Sequence, residues 1–313
     1  MDDKNITLIT AINLLGFQVP QSVKFLVFFV FLQFYFVTIF GNLLIIILVS
    51  YSKTLHMPMY FFLSQLALSD IFLATDILPN MLHAFLVENT IMSISNCIMQ
   101  YNFFAVAEGS ESLLLTLMSY DRYLAICKPL HYPVLMSHWF CWITIITSWS
   151  WSFLATLTYT LDISKLQFCG PNNIDHFFCD LKPILQLSCS NTTFVQLLAT
   201  LLTIIFGAIP LFVIIVSYVY IIVTIFKIPS ITGRKKVFST CSSHLTVVSM
   251  HYGTLNFVYL ITSRGQSWNI NKFMSLLYTV VTPLMNPVIY SLRNKDLQQV
   301  VGKLINKFEA SFQ

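Results

Sequence analysis

Three stretches of twenty or more residues contain no Asp, Glu, Lys or Arg: those between Lys24 and Lys53, Lys236 and Arg264, and Lys272 and Arg293. Two further charge-free windows run from His138 to Leu161 and from Ser190 to Phe226, and two more apolar runs, near Met59–Leu82 and Ile94–Met118, carry acids inside them. A helix crosses a bilayer with ~20 apolar residues, so each of the seven is long enough. A soluble domain of 313 residues needs more polar surface than a chain that is 56% hydrophobic and 10% charged, with mean hydropathy +0.74. Membrane strands would show ten-residue alternation, which is absent, whereas helices satisfy their own backbone in lipid. The expected fold is an all-α membrane protein, a seven-transmembrane helix bundle forming one domain. Its approximate spans are 25–51, 59–82, 94–122, 139–161, 194–226, 237–261 and 272–291.

Basic residues set the expected orientation. With residues 1–24 outside, the inner loops and tail hold Lys53, Arg122, Lys128, Lys227, Arg234, Lys235, Lys236, Arg293, Lys295, Lys303 and Lys307. The outer segments hold Lys4, Lys24, Lys165, Lys182, Arg264 and Lys272, eleven against six, which favours an extracellular N-terminus. No cleavable signal is expected, because the first apolar run is too long for one. The net charge of +4 lies mainly on the inner face, which suits anionic lipid and gives no support for nucleic-acid binding. In the tail, 292–313, Leu292, Leu297, Val300, Val301, Leu304, Ile305 and Phe308 recur at helical spacing, predicting a short amphipathic helix on the inner surface. Asn5-Ile6-Thr7 is then an outer glycan acceptor, and Asn191-Thr192-Thr193 a lower-ranked one close to the fifth span.

Cys97, Cys169, Cys179 and Cys189 fall outside, where thiols oxidise, and four thiols allow three pairings. Cys97 opens the third span, and tying it to the long loop would hold that loop over the bundle mouth. The expected pairs are Cys97–Cys179 and Cys169–Cys189. His176-Phe177-Phe178-Cys179-Asp180 has the look of a metal-thiolate cluster, but a bridged cysteine supplies no thiolate.

Charges at bilayer depth cost ~2.5 kcal/mol or more, so those that persist usually have a job. The third span ends in Asp121-Arg122-Tyr123 and the seventh in Asn286-Pro287-Val288-Ile289-Tyr290. Seven spans with these strings resemble a rhodopsin-type (class A) G protein-coupled receptor. Pro58 to Leu63, Met118 to Cys127, Ser217-Tyr218, Lys236 to Leu245, Pro283 to Asn294, and the loop string His176 to Asp180 followed by Leu187-Ser188-Cys189 are similar to vertebrate odorant-receptor signatures. The match runs from about Gly41 to Asn294. Ser119, Leu124, Val237 and His251 depart from the usual residues, and none removes a switch group.

The resemblance implies an odorant receptor of the plasma membrane, with no enzymatic activity, that binds a small volatile ligand and raises cyclic AMP through a stimulatory, olfactory-type G protein. The alternative is a non-olfactory class A receptor for a small amine or other small ligand. The implied G-protein switch comprises Asp121, Arg122, Tyr123, Tyr218, Asn286, Pro287 and Tyr290. Pro287 removes a helix hydrogen bond, Asn286 is placed to satisfy freed backbone groups, and Tyr218 and Tyr290 to swing inward. No cofactor is expected, apart from a sodium and water pocket that the resemblance places at Asn42, Asp70 and Glu111; a protonated Asp70 bonded within the core is the other reading. A transporter or channel would want inverted repeats or a polar ring through the bundle, and a membrane enzyme a catalytic set at one depth; neither is evident.

The expected ligand site lies in the outer half of the bundle: Phe104, Ala105, Glu108, Thr203, Phe206, Gly207, Tyr252, Leu255, Asn256, Tyr259, Leu277 and Tyr278. Such a lining favours a mostly hydrophobic ligand with one polar anchor. Phe104 stands where aminergic receptors carry Asp, and the outer half of the seventh span has no Lys for a retinal Schiff base. Glu108, one turn from Glu111, has two readings: a partner for an amine or alcohol, or a neutral acid bonded to Ser112 or a neighbouring helix.

Overall fold

A computed structural model describes residues 8–87, 90–169, 171–262 and 268–311. Seven long helices form the bundle: α1 (Gln21–Tyr51), α2 (Pro58–Leu86), α3 (Ile94–Cys127), α4 (His138–Ser164), α5 (Thr193–Lys227), α6 (Ile231–Thr262) and α7, which runs through Trp268–Leu276, Leu277–Val281 and Thr282–Arg293. A final helix, α8 (Lys295–Ser311), turns its Leu297 and Val300 into the bundle. Local chemistry sets several starts. Pro58 sits in the first turn of α2, where its missing N–H is harmless, and the Ser93 and Ser137 hydroxyls accept from the Asn96 and Phe140 amides at the starts of α3 and α4.

Among the described residues, five stretches, within α1, α2, α4, α5 and α7, are long and apolar enough to cross a membrane. The other two long helices carry charge: α3 holds Glu108, Glu111, Asp121 and Arg122, and the start of α6 holds Arg234, Lys235 and Lys236. Large apolar side chains such as Phe25, Phe29, Phe40, Phe212 and Phe226 are exposed, which fits a bundle whose outer wall meets hydrocarbon. Two buried apolar clusters fill the interior. One surrounds Met118, Tyr218 and Tyr290 toward the Arg122 end, the other Tyr101, Phe104 and Phe178 toward the disulfide end.

The N-terminal segment contributes a strand that the sequence reading did not anticipate. Strand β1 (Ala11–Leu14) pairs antiparallel with β2 (Thr90–Ser93) and parallel with β3 (Asn173–Ile174), giving the order β2-β1-β3. Ile12 and Leu14 point inward and are buried, so four residues suffice to dock the segment. Gly16 follows at φ 58°, a left-handed turn that a side chain would strain, and Phe17 then stacks on Phe177 at 5.1 Å.

Two π-helical turns interrupt the bundle, Ile204–Ala208 in α5 and Leu277–Val281 in α7. Each is followed within two residues by a proline, Pro210 and Pro283, which cannot donate to the carbonyl four residues back. In α5 the widened turn carries Phe206 and Gly207.

Candidate functional site

At one end, the segment after α4 folds over the bundle as a lid. Disulfides join Cys97 to Cys179 and Cys169 to Cys189, as the sequence reading expected. Gln100 on α3 reinforces the first, its Oε1 accepting from the Cys179 amide at 3.0 Å while its Nε2 donates to the Asp76 carbonyl at 2.9 Å. Buried Lys272 donates to the Gly16 carbonyl at 2.8 Å and to Asp175 at 2.5 Å, tying the N-terminal segment, the lid and α7 together. Sequence reading took Lys272 as an outer loop charge; its partners lie far away along the chain. His176 is buried between the rings of Phe177 and Phe178, each 4.8 Å away, and burial, with Lys272 nearby, lowers its pKa to about 3.

Beneath the lid, a cavity of about 150 Å³ opens between α3, α4, α5 and α6. It brings together Phe104, Ala105, Glu108, Thr203, Phe206, Gly207 and Leu255 from the expected ligand set. It adds Tyr101, Gly109 and Ser112 from α3, Thr156 and Tyr159 from α4, Ala199 and Leu202 from α5, and Leu181 from the lid. Gly109 permits the tight packing: a Cβ there would lie 3.1 Å from Ser152 Oγ and 3.3 Å from the Phe206 ring.

Other residues of the expected set fall elsewhere. Tyr252 is buried in the cluster toward the Arg122 end, its ring 4.9 Å from that of His251. Tyr278 packs against Phe104 with the rings tilted, centroids 5.8 Å apart, and donates to Ser275, and neither it nor Leu277, in the α7 π turn, lines the cavity. The side chains of Asn256 and Tyr259, and the whole of Asn5, lie outside the described residues. Asn191 is described, and its side chain accepts from the Thr193 amide at the start of α5.

Below the cavity the helices are joined by polar contacts. Asn286 donates to both Asp70 oxygens, at 3.0 and 3.1 Å. Asn42 donates to the carbonyls of Thr38 at 3.0 Å and Pro283 at 3.1 Å. The Pro283 carbonyl is the acceptor that Pro287 leaves without a donor. Asn42 therefore fills the role that the sequence reading gave to Asn286, and Gly41 admits α1, since a Cβ there would meet Pro287 Cγ at 3.1 Å. Glu111 faces His251 at 3.4 Å, and the other nitrogen of that ring bonds Ser112 at 3.0 Å. Asn42, Asp70 and Glu111 are thus each engaged with a different partner. Asn42 Oδ1, Glu111 Oε1 and Asn286 Oδ1 remain buried without a hydrogen-bond partner among the described residues.

The Arg122 end is closed. Arg122 folds onto buried Asp121, with Nε and Nη2 donating to one oxygen at 3.0 and 2.7 Å, while Tyr132 donates to the other at 2.8 Å. Burial and the Asp121 charge raise the Tyr132 phenol above its ordinary value, keeping it a donor. Tyr218 on α5 bonds His244 on α6 at 2.7 Å with the rings stacked. Tyr123 packs against Tyr120 and Tyr220, and Tyr290 is fully buried with no hydrogen-bond partner for its hydroxyl among the described residues. Tyr60 links α2 to Asn294 at 3.0 Å and Asp296 at 2.8 Å where α7 meets α8. The sequence signal for His244 and His251 was their place in a run without Asp, Glu, Lys or Arg, which named no partners.

A bundle with a lidded cavity at one end and a closed ion pair at the other has the parts of a transmembrane signalling receptor. The family model for olfactory receptors matches residues 31–307. The chain is 43% identical to human olfactory receptor 11L1 over 307 residues, 98% of this chain and 95% of that protein. It is 44% identical to mouse olfactory receptor 5G26 over 312 residues, 100% and 97% of the two chains, and 42% identical to mouse olfactory receptor 5P55 over 305 residues, 97% and 98%. The chain belongs to the olfactory receptor family. It is accordingly a multi-pass membrane receptor and not an enzyme; membership implies an odorant ligand and coupling to a G protein.

Proposed function

We propose that the cavity between α3, α4, α5 and α6 is the odorant site, and that its occupation opens the Arg122 end toward a stimulatory, olfactory-type G protein, raising cyclic AMP. In this reading the lid and residues 1–24 face outward from the plasma membrane, and the Arg122 end faces the cytoplasm. The observation that carries it is shared membership: α3, α5 and α6 line the cavity, and toward the opposite end α3 carries the Arg122–Asp121 pair while Tyr218–His244 joins α5 to α6. The latch of His251 to Glu111 and Ser112 lies between the two. A ligand that pushes Phe206 or Leu255 acts on α5 or α6 directly, and interfaces packed this tightly respond by switching between arrangements.

The cavity accepts a compact, mostly hydrocarbon molecule, because a space of about 150 Å³ is enough for one the size of benzene. The test is a cyclic AMP assay in cells supplied with the olfactory G protein, screened against acids, amines, esters and aldehydes. Arg122→Ala is expected to abolish the response at unchanged surface display. Normal signalling by that variant would remove the switch assignment.

A further inference from the structure

The geometry points to a protonated amine as the class of ligand this cavity selects, with Glu108 as its counter-ion. The inference rests on the cavity being the odorant site and concerns how its polar groups are matched. Glu108 lines the cavity, and neither of its carboxyl oxygens has a hydrogen-bond partner among the described residues. Ser112, one turn along α3, is the partner that a structural Glu108 would be expected to use. Its hydroxyl is instead 3.0 Å from His251. The neighbouring acid, Glu111, lies 3.4 Å from the His251 ring as an ion pair, its Oε1 having no hydrogen-bond partner among the described residues. The imidazole thus sits against Glu111 and Ser112, and both Glu108 oxygens, buried in the cavity wall, are left without a donor among the described residues.

No Lys, Arg or His lines the cavity among the described residues. A ligand therefore meets an apolar wall formed by Phe104, Phe206, Leu202 and Leu255, with a carboxyl group lacking a donor set into it. An ammonium offers three donors and a charge to such a group, and charge-assisted bonds are roughly twice as strong as neutral ones. An alcohol offers a single neutral donor. A carboxylic acid ligand would place its charge beside both Glu108 and Glu111, so acids are excluded. The hydrocarbon body of the amine is limited by the cavity to about one six-membered ring.

The test uses three probes of one shape on the full-length receptor: cyclohexylamine, cyclohexanol and cyclohexanecarboxylic acid. Potency is read in the cyclic AMP assay, and binding by the shift in thermal unfolding of purified receptor. In the wild type, cyclohexylamine is expected to be at least tenfold more potent than cyclohexanol, and the acid inactive. In Glu108→Gln at equal surface display, the amine-to-alcohol potency ratio falls by at least tenfold; the wild-type comparison stands alone if that variant is poorly displayed. Equal potency of amine and alcohol on the wild type, or an unchanged ratio in Glu108→Gln, would overturn the inference while leaving the cavity as the odorant site. If Gly109→Leu, which fills the cavity, leaves the response to all probes intact, the cavity assignment fails and the amine reading falls with it.

Discussion

Asn42→Ala should destabilise the receptor through the Pro283 carbonyl, and Pro287 determines by how much. In the wild type that carbonyl has lost its in-helix donor to Pro287 and receives Asn42 Nδ2 at 3.1 Å instead. Asn42 is almost fully buried, so no water replaces it. Interhelical hydrogen bonds in membranes average ~0.6 kcal/mol and reach ~1.7. An unsatisfied buried carbonyl costs ~1–3 kcal/mol. The expected loss is therefore ~1–2 kcal/mol, or ~2–4 °C in unfolding temperature for a chain of this size. Pro287→Ala returns a backbone N–H to the same carbonyl. In that background Asn42→Ala should cost less than ~0.5 kcal/mol, so the double-mutant cycle gives a coupling of at least ~0.5 kcal/mol. Thermal unfolding of the four purified proteins in detergent provides the numbers. An equal cost of Asn42→Ala with and without Pro287 would show that Asn42 stabilises the bundle by some other route.

Gly109→Ala places a methyl 3.1 Å from Ser152 Oγ and 3.3 Å from the Phe206 ring, so odorant potency should fall about tenfold, ~1.4 kcal/mol, at unchanged display; equal potency would mean that Phe206 yields freely. Tyr218→Phe removes a buried 2.7 Å bond to His244 and should lower stability by ~1 kcal/mol in thermal unfolding, whereas no loss would mean that ring stacking alone holds the pair. The lid should loosen in acid. The His176 pKa is about 3 when folded, against ~6.5 when exposed, so between those values the open lid binds more protons and lid stability is lost as pH falls. Burial raises the Asp180 carboxyl, which acts in the opposite sense at the acidic end of that window. Hydrogen exchange of the lid at about pH 7 and about pH 5 should show the loosening, and His176→Phe should remove it; the same dependence in that variant would place its origin elsewhere.

The helical bundle was legible because hydropathy is a local signal: a charge-free run such as that between Lys24 and Lys53 has few other destinations. The disulfide pattern and the Asp121–Arg122 pair were legible for similar reasons, the first from topology and the second from adjacency. Part of the cavity was legible from helical placement, which found Phe104, Glu108 and Phe206. Thr156, Tyr159 and Leu181 were not, because their positions depend on the rotation of α4 and on a lid held by Cys97, Gln100 and Lys272 from distant parts of the chain. The same holds for pairs that cross the bundle. Asn42 was recognised as a buried polar residue, yet its partner is a carbonyl exposed by a proline 245 positions away (Asn42 to Pro287). The strand Ala11–Leu14 was missed because four residues carry no periodicity to read.

Whether filling the cavity opens the Arg122 end can be measured as a distance. Bio-orthogonal spin labels at Leu130, 90% exposed beyond α3, and at Phe238, 62% exposed on α6, report the separation of these segments without touching Cys127, Cys141 or Cys241. With an odorant that raises cyclic AMP and the G protein both bound, the separation should lengthen on the order of one helical turn, ~5 Å, relative to the ligand-free receptor. An unchanged distance under conditions where nucleotide exchange on the G protein accelerates would contradict an opening of that end.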